Sequence, residues 1–320
     1  MRILVTAPYH ANGQAELSAL LGEVIYKPWK ANERAFNEEE LIELIASTKA
    51  DALITEHDHV TSNVINANPH LAFIGVCRGT PSNVCLKTAQ EKNIPVFHTP
   101  ARNAQAVAEL FLATVIDLLR KTLASNQWLK ERKWDDGAHT SYLQFKGNEL
   151  ANRTIGLVGF GAVAQRIAHM VENFPCTIQF YDPFIEQSDL KYKKTSLVEL
   201  FKTSDIVSIH LPVNDSTIGM IDHDLISKMQ RDAILVNTAR ASVVKRDDLL
   251  YAIENNLIRG AVLDVFDHEP PDEKDYRLIN HPNVLATPHI AGATYEVEDH
   301  HVTIMNKKII NWFATEKQLT

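Results

Sequence analysis

Cysteine is scarce: 320 residues carry only Cys77, Cys85 and Cys176. Odd in number and without metal-ligand spacing, they exclude a disulfide framework and point to reduced thiols in a cytosol-like compartment. Positive charge is in deficit too, 32 Lys and Arg against 40 Asp and Glu, for a formal net charge of −8. No basic stripe offsets it, so nothing electrostatic favours nucleic acid or an anionic membrane. No stretch approaches the ~18 apolar residues of a membrane span. The apolar run in MRILVTAPY is too short for a signal-peptide core and ends at Pro8, so it reads as a strand. Fixed-period repeats and low-complexity tracts are missing as well. The expectation is a soluble, cytoplasmic protein.

What is present is the material of a large core. Hydrophobic residues make up 45% and charged residues 22%, a globular profile, and the length suggests two domains. In the first hundred residues short apolar runs (RILVTA, EVIYKP, DALITE, LAFIGVC, IPVFHT) alternate with helical patterns such as AELSALL and EEELIELIAST. That alternation predicts βαβ crossovers and a mostly parallel sheet. From Asn103 to about residue 132 the apolar spacing predicts one long helix, with Asn103 placed as its N-cap. It reads as a domain junction and subunit contact, or equally as an internal core helix. The alternation then restarts through TIGLVG, TIQFYD, DIVSIHL, AILVNTA, GAVLDVF and VLATPH, and a closing helix is expected from about Thr294 to Phe313.

The second series opens with Gly156-Leu157-Val158-Gly159-Phe160-Gly161-Ala162-Val163-Ala164, a G-x-G-x-x-A fingerprint between a strand and a helix. Gly159 would permit the tight turn, Gly161 would let a pyrophosphate approach the backbone, and Ala164 is small enough for close helix–strand packing. Unpaired N–H groups at the helix start would hold the phosphates. Asp182 ends the next strand, 21 positions after Gly161, where a ribose-binding acid belongs. A carboxylate there would repel a 2′-phosphate, so NAD (as NADH in reduction) is expected and NADP disfavoured.

Ligands of an open parallel sheet bind beyond the carboxyl ends of its strands. AILVNTA is followed by Arg240, GAVLDVF by Asp267-His268-Glu269, and VLATP by His289. Singly, each suits an ordinary surface or loop role. Jointly, a cation, an acid and an imidazole at consecutive strand ends suit hydride transfer. Histidine can give or take the hydroxyl proton, and a carboxylate beside it favours the imidazolium and fixes its tautomer. Arginine can clamp a carboxylate and polarise a carbonyl.

With GLVGFGAVAQ, FYDP, VNTAR, LDVFDHEP and TPHIAGAT, the sequence resembles the D-isomer-specific 2-hydroxyacid dehydrogenase family over nearly its whole length. The resemblance implies two doubly wound α/β domains: a flavodoxin-like substrate domain from 1–100 plus 291–320, and a Rossmann NAD-binding domain from 101–290. It implies Arg240 for substrate binding, Glu269 as partner of the histidine, and His289 as general acid/base, acting on a small 2-hydroxy or 2-keto acid. Cofactor contacts are implied for Phe160, Ala162, Val163, His210, Leu211, Pro212, Thr217, Thr238, Ala239, Asp264 and Gly292, beside Gly159, Gly161 and Asp182. A homodimer built on the helix near Asn103 is implied too. The loop Val76–Thr80 aligns with the family's carboxylate-holding turn, where Arg78 stands in place of a small residue beside Gly79. Ala241 replaces the usual glycine after the arginine.

HIAGAT and TPARNAQAVAE lean towards phosphoglycerate dehydrogenase-like members, yet Thr55-Glu56-His57-Asp58-His59 lacks an arginine for a phosphate and no C-terminal regulatory domain follows. The alternatives are therefore D-3-phosphoglycerate dehydrogenase itself or an NAD(H)-sensing, corepressor-like interaction protein. No metal is expected, because His57-Asp58-His59 and His300-His301 lack a third ligand in sequence and read as solvated. Cys77 reads as a small buried residue.

Overall fold

The computed structural model describes residues 1–134, 138–186 and 191–319. The chain divides into two compact units, Met1–Asn103 with Thr294–Thr320, and Ala104–Ala293. In chain order the first stretch contains β1 (Arg2–Val5), α1 (Ala11–Leu21), β2 (Glu23–Tyr26), α2 (Glu38–Thr48), β3 (Ala52–Thr55), α3 (Ser62–Ala67), β4 (Ile74–Val76), α4 (Leu86–Glu91) and β5 (Val96–His98). Three helices follow, α5 (Ala104–Arg120), α6 (Thr122–Lys130) and α7 (Ala138–Gln144). The second series runs β6 (Thr154–Val158), α8 (Ala162–Val171), β7 (Thr177–Tyr181), β8 (Lys193–Lys194), α9 (Leu197–Thr203), β9 (Ile206–Ile209), α10 (His223–Ile226) and β10 (Ile234–Asn237). It ends with α11 (Arg246–Glu254), β11 (Gly260–Leu263), α12 (Glu273–Ile279), β12 (Val284–Ala286) and α13 (Tyr295–Leu319).

Both sheets are wholly parallel in their paired strands, with orders β2-β1-β3-β4-β5 and β12-β11-β10-β9-β6-β7-β8. Each is covered on both faces, so its strands alternate between two cores rather than between core and water. In β1, Ile3 and Val5 face the layer of α1 and α13 with Leu17, Met305 and Ile309, whereas Leu4 packs with Leu41 and Ile45 of α2. In β10, Ile234 and Val236 share a cluster with Phe111 of α5 and Ile167 of α8, and Leu235 packs with Leu249 and Ile253 of α11. The chain reverses its winding direction between β6 and β9, the switch point at which doubly wound sheets bind ligands.

The helix expected from Asn103 is two helices. Lys121 takes a left-handed conformation (φ 57°, ψ 38°) and breaks it. Asp117 holds the break, accepting the Leu123 N–H at 2.8 Å and the Thr122 hydroxyl. α5 buries Val107, Phe111, Val115 and Leu119 and packs on α8, while α6 buries nothing among its described side chains. α13 runs past Phe313 to Leu319. His300 is exposed as expected, but His301 is fully buried. Its Nε2 donates to the Pro8 carbonyl at 2.7 Å, so its Nδ1 is left to accept from Arg102 Nη1 at 2.9 Å.

Candidate active site

The dinucleotide fingerprint forms the turn from β6 into α8. Gly159 has φ +84°, and a Cβ there would lie 2.7 Å from the His210 carbonyl oxygen, so glycine is required on both counts. At Gly161 a Cβ would meet nothing within 4 Å: the space beside this backbone is open. Gly161 is also the N-cap of α8 and offers no side chain to its first N–H groups, and no acid lies in the first turn. Ala164 is fully buried against the sheet. Asp182 accepts the Phe160 N–H at 2.9 Å and the Phe184 N–H at 2.8 Å, one on each oxygen. Each oxygen keeps a lone pair, as ribose hydroxyls would need.

Further along the carboxyl edge, Thr238 follows β10 with its hydroxyl buried and without a partner among the described residues. A buried orphan hydroxyl is costly unless something completes it. An open glycine turn at a helix N-terminus, a free-faced acid and this hydroxyl together fit a dinucleotide. Ala239 donates its N–H to Asn237 Oδ1 at 3.1 Å. Ala162, Val163, Gly292, Leu211 and Pro212 stand in their loops or first helical turn on the same unit. The Thr217 hydroxyl is spent locally, donating to the Pro212 carbonyl at 2.6 Å and accepting from the Asn214 N–H at 2.9 Å. His210 bonds Ser208 Oγ at 2.9 Å, and desolvation pushes its imidazole down to about 3, so the ring is neutral.

Arg240, Glu269 and His289 follow the adjacent strands β10, β11 and β12. His289 Nδ1 lies 2.7 Å from Glu269 Oε2. Because a carboxylate only accepts, Nδ1 carries the proton of this bond, and Nε2 is the nitrogen left for exchange. Arg240 does not join that pair among the described residues; its Nη1 donates to the Ala239 carbonyl at 2.6 Å, and its side chain is exposed. His289 itself has φ +53°, a left-handed conformation that costs a non-glycine residue about 1 kcal/mol or more. Buried Asp264 brackets it. One carboxylate oxygen accepts the Thr287 hydroxyl at 2.6 Å and the Ile290 N–H at 2.8 Å, and the other accepts the Ala291 N–H at 2.8 Å.

In the first unit, the loop after β4 leaves Gly79 open: a Cβ there would meet nothing within 4 Å. Among the described residues the N–H groups of Gly79 and Thr80 make no hydrogen bond, whereas the Arg78 carbonyl accepts from Thr99 N–H at 2.8 Å. Cys77 is fully buried, and burial pushes its thiol well up. Neighbouring Glu56 is raised by burial, but Arg102 at 2.6 Å more than offsets this and holds the carboxyl below its ordinary range.

Sequence reasoning passed over two residues that order this region, Arg246 and Asp275. The signal was there: DHEPPDEKD gathers five acids around one histidine and needs a cation. His268, Asp272 and Asp275 bring ligand atoms within 4.8 Å of one another, and the Arg246 guanidinium binds Asp272 and Asp275.

Residues 112–291 match the family described as D-isomer specific 2-hydroxyacid dehydrogenase, NAD binding domain. The chain is 55% identical over 312 residues, 98% of its length and 91% of the relative's, to YoaD of Bacillus subtilis (strain 168), provisionally named a 2-hydroxyacid dehydrogenase. It is 35% identical over 262 residues to the hydroxypyruvate reductase of Thermotoga maritima, covering 81% of this chain and 83% of that one. Among solved structures, an acyclic imino acid reductase bound to NADPH and D-Arg superposes with a TM-score of 0.81 at 25% identity, over 98% of each chain. D-lactate dehydrogenase from Aquifex aeolicus, complexed with NAD and lactic acid, gives 0.75 at 25% identity over 99% of this chain and 97% of that one.

Proposed function

The chain belongs to the D-isomer-specific 2-hydroxyacid dehydrogenase family, and within it we propose an NAD-dependent enzyme that interconverts a small D-2-hydroxy acid and its 2-keto acid. When bound, the nicotinamide supplies or takes the hydride. The chain's own residues do the rest. In reduction, His289 gives a proton from Nε2 to the substrate oxygen, and in oxidation it takes that proton back. Glu269 holds the ring in the tautomer that leaves Nε2 available and stabilises the imidazolium. Arg240, swung from its own backbone onto the substrate, would bind the carboxylate and polarise the carbonyl. Within the first unit, the open amides of Gly79 and Thr80 by themselves suit a carboxylate.

The observation that carries this reading is the 2.7 Å bond between His289 Nδ1 and Glu269 at neighbouring strand ends, on the same carboxyl edge of the sheet as the glycine turn. NAD over NADP rests on Asp182, although the fold also accepts NADPH in the imino acid reductase. A homodimer and a cytoplasmic setting remain part of the proposal through family likeness. The test is a steady-state screen of glyoxylate, pyruvate, hydroxypyruvate and its phosphorylated form with NADH and with NADPH. Turnover of at least one with NADH supports the reading; no turnover of any over micromolar to millimolar protein and substrate defeats it.

A further inference from the structure

Arg246 opens α11 with its side chain 17% exposed and faces three acids. Its Nε lies 3.2 Å from Asp267 Oδ2, and its Nη1 donates to Asp272 Oδ1 at 2.8 Å and to Asp275 Oδ1 at 2.9 Å. Asp275, in the first turn of α12, is 1% exposed and anchors the group. Asp267 and Asp272 flank Glu269, two residues before it and three after. One guanidinium therefore grips both ends of the loop whose middle supplies the carboxylate to His289.

The inside of that loop hangs on the same anchor. Asp275 Oδ2 accepts the His268 N–H at 3.2 Å and the Asp272 N–H at 3.3 Å, and His268 Nδ1 lies 2.9 Å from Asp272 Oδ2. Glu269 Oε1 accepts the Phe266 N–H at 3.3 Å, which aims Oε2 at His289. Only a planar fork reaches carboxylates in several directions at once; a lysine would offer one point charge. Clustered ion pairs of this kind are poor evidence for added stability, since apolar replacements are often neutral. What the cluster does determine is where the loop between Asp267 and Asp272 lies.

We propose that Arg246 is a positioning residue for the proton-transfer pair, holding the Glu269 carboxylate at bonding distance from His289 by clamping Asp267 and Asp272 onto Asp275. The inference rests on the reading of His289 and Glu269 as that pair. Its test uses the full chain and two readouts, kcat with NADH and the best 2-keto acid, and the NMR titration of the His289 imidazole. Arg246→Met should lower kcat roughly 10- to 100-fold, the scale of a catalytic group misplaced by about 1 Å, with NADH affinity unchanged. The titration midpoint of His289 should fall, because Glu269 drifts away. Loss of a nearby positive charge alone would instead raise it, so the sign separates positioning from simple electrostatics.

In an E269Q background, Arg246→Met should lower kcat no further and should no longer lower the His289 midpoint, the non-additivity expected of a residue acting through another. Should Arg246→Met fail to fold, Asp267→Asn leaves the Arg246–Asp275 contact intact and cuts one arm; its effects too should vanish in the E269Q background. A raised or unmoved midpoint, or losses that persist in full with E269Q, would overturn the proposal. If wild type turned over no acid, the dehydrogenase reading would fail while the titrations still decided the role of Arg246.

Discussion

Replacing Asp264 by asparagine perturbs the histidine loop without removing any volume. The carboxylate is 1% exposed and accepts three hydrogen bonds, from the Thr287 hydroxyl and the Ile290 and Ala291 N–H groups. An amide can turn its oxygen to Thr287 and Ile290, but its NH2 then faces the Ala291 N–H. One charge-assisted bond is lost, worth about 1.5–3 kcal/mol, and a buried donor is orphaned at about 1–3 kcal/mol. Relief from burying a charge offsets part of this, leaving roughly 2–4 kcal/mol against the closed loop. The left-handed backbone of His289 loses its bracket at the same moment. At 1.36 kcal/mol per decade, hydrogen-exchange protection of the Ile290 and Ala291 amides should fall roughly 30- to 1,000-fold, with kcat falling alongside. Native protection combined with reduced turnover would refute the loop argument and leave Asp264 a ligand contact instead.

Other outcomes follow from the same geometry. Asp182→Asn keeps an oxygen for the Phe160 N–H but removes the charge that would face a 2′-phosphate. The kcat/KM ratio of NADPH to NADH should rise roughly tenfold or more, the scale of a like-charge contact near a surface; an unchanged ratio in steady-state kinetics would place cofactor selection elsewhere. Folding stability should decline on the acid side. Desolvation pushes His210 down to about 3 and, against the bond to Pro8, lowers His301 as well. Between the unfolded value near 6.5 and those lower folded values the unfolded chain binds more protons, so stability rises with pH there and is lost as pH falls. Below about 4.5 the depressed Glu56 adds to that loss. Urea midpoints at stepped pH should show the decline, and His210→Asn should flatten it; equal slopes for the two proteins would contradict the argument.

The positions of the glycine turn, of Asp182 after β7 and of the three strand-end groups were legible because each is fixed along a βα repeat, and a parallel sheet brings successive strand ends together. The pairing of His289 with Glu269 is of this kind. Illegible were contacts made by backbone or over long separations. Asp264 works through two main-chain N–H groups, which no side-chain pattern announces. Arg246 meets its acids across 21 to 29 positions, and only the placement of α11 beside the loop after β11 joins them. His301 is buried by a bond to Pro8, 293 residues away, which helical spacing alone could not foresee. The break at Lys121 depends on Asp117 capping the next helix, an ordinary acid inside an otherwise continuous apolar pattern.

Proton transfer by His289 is the central claim, and a comparison of wild type with His289→Ala tests it most directly. With NADH and the best 2-keto acid, kcat should drop by about 10²- to 10⁴-fold, the usual contribution of a general acid, while NADH titrates the variant with wild-type affinity. Equal turnover by the two proteins would contradict the account.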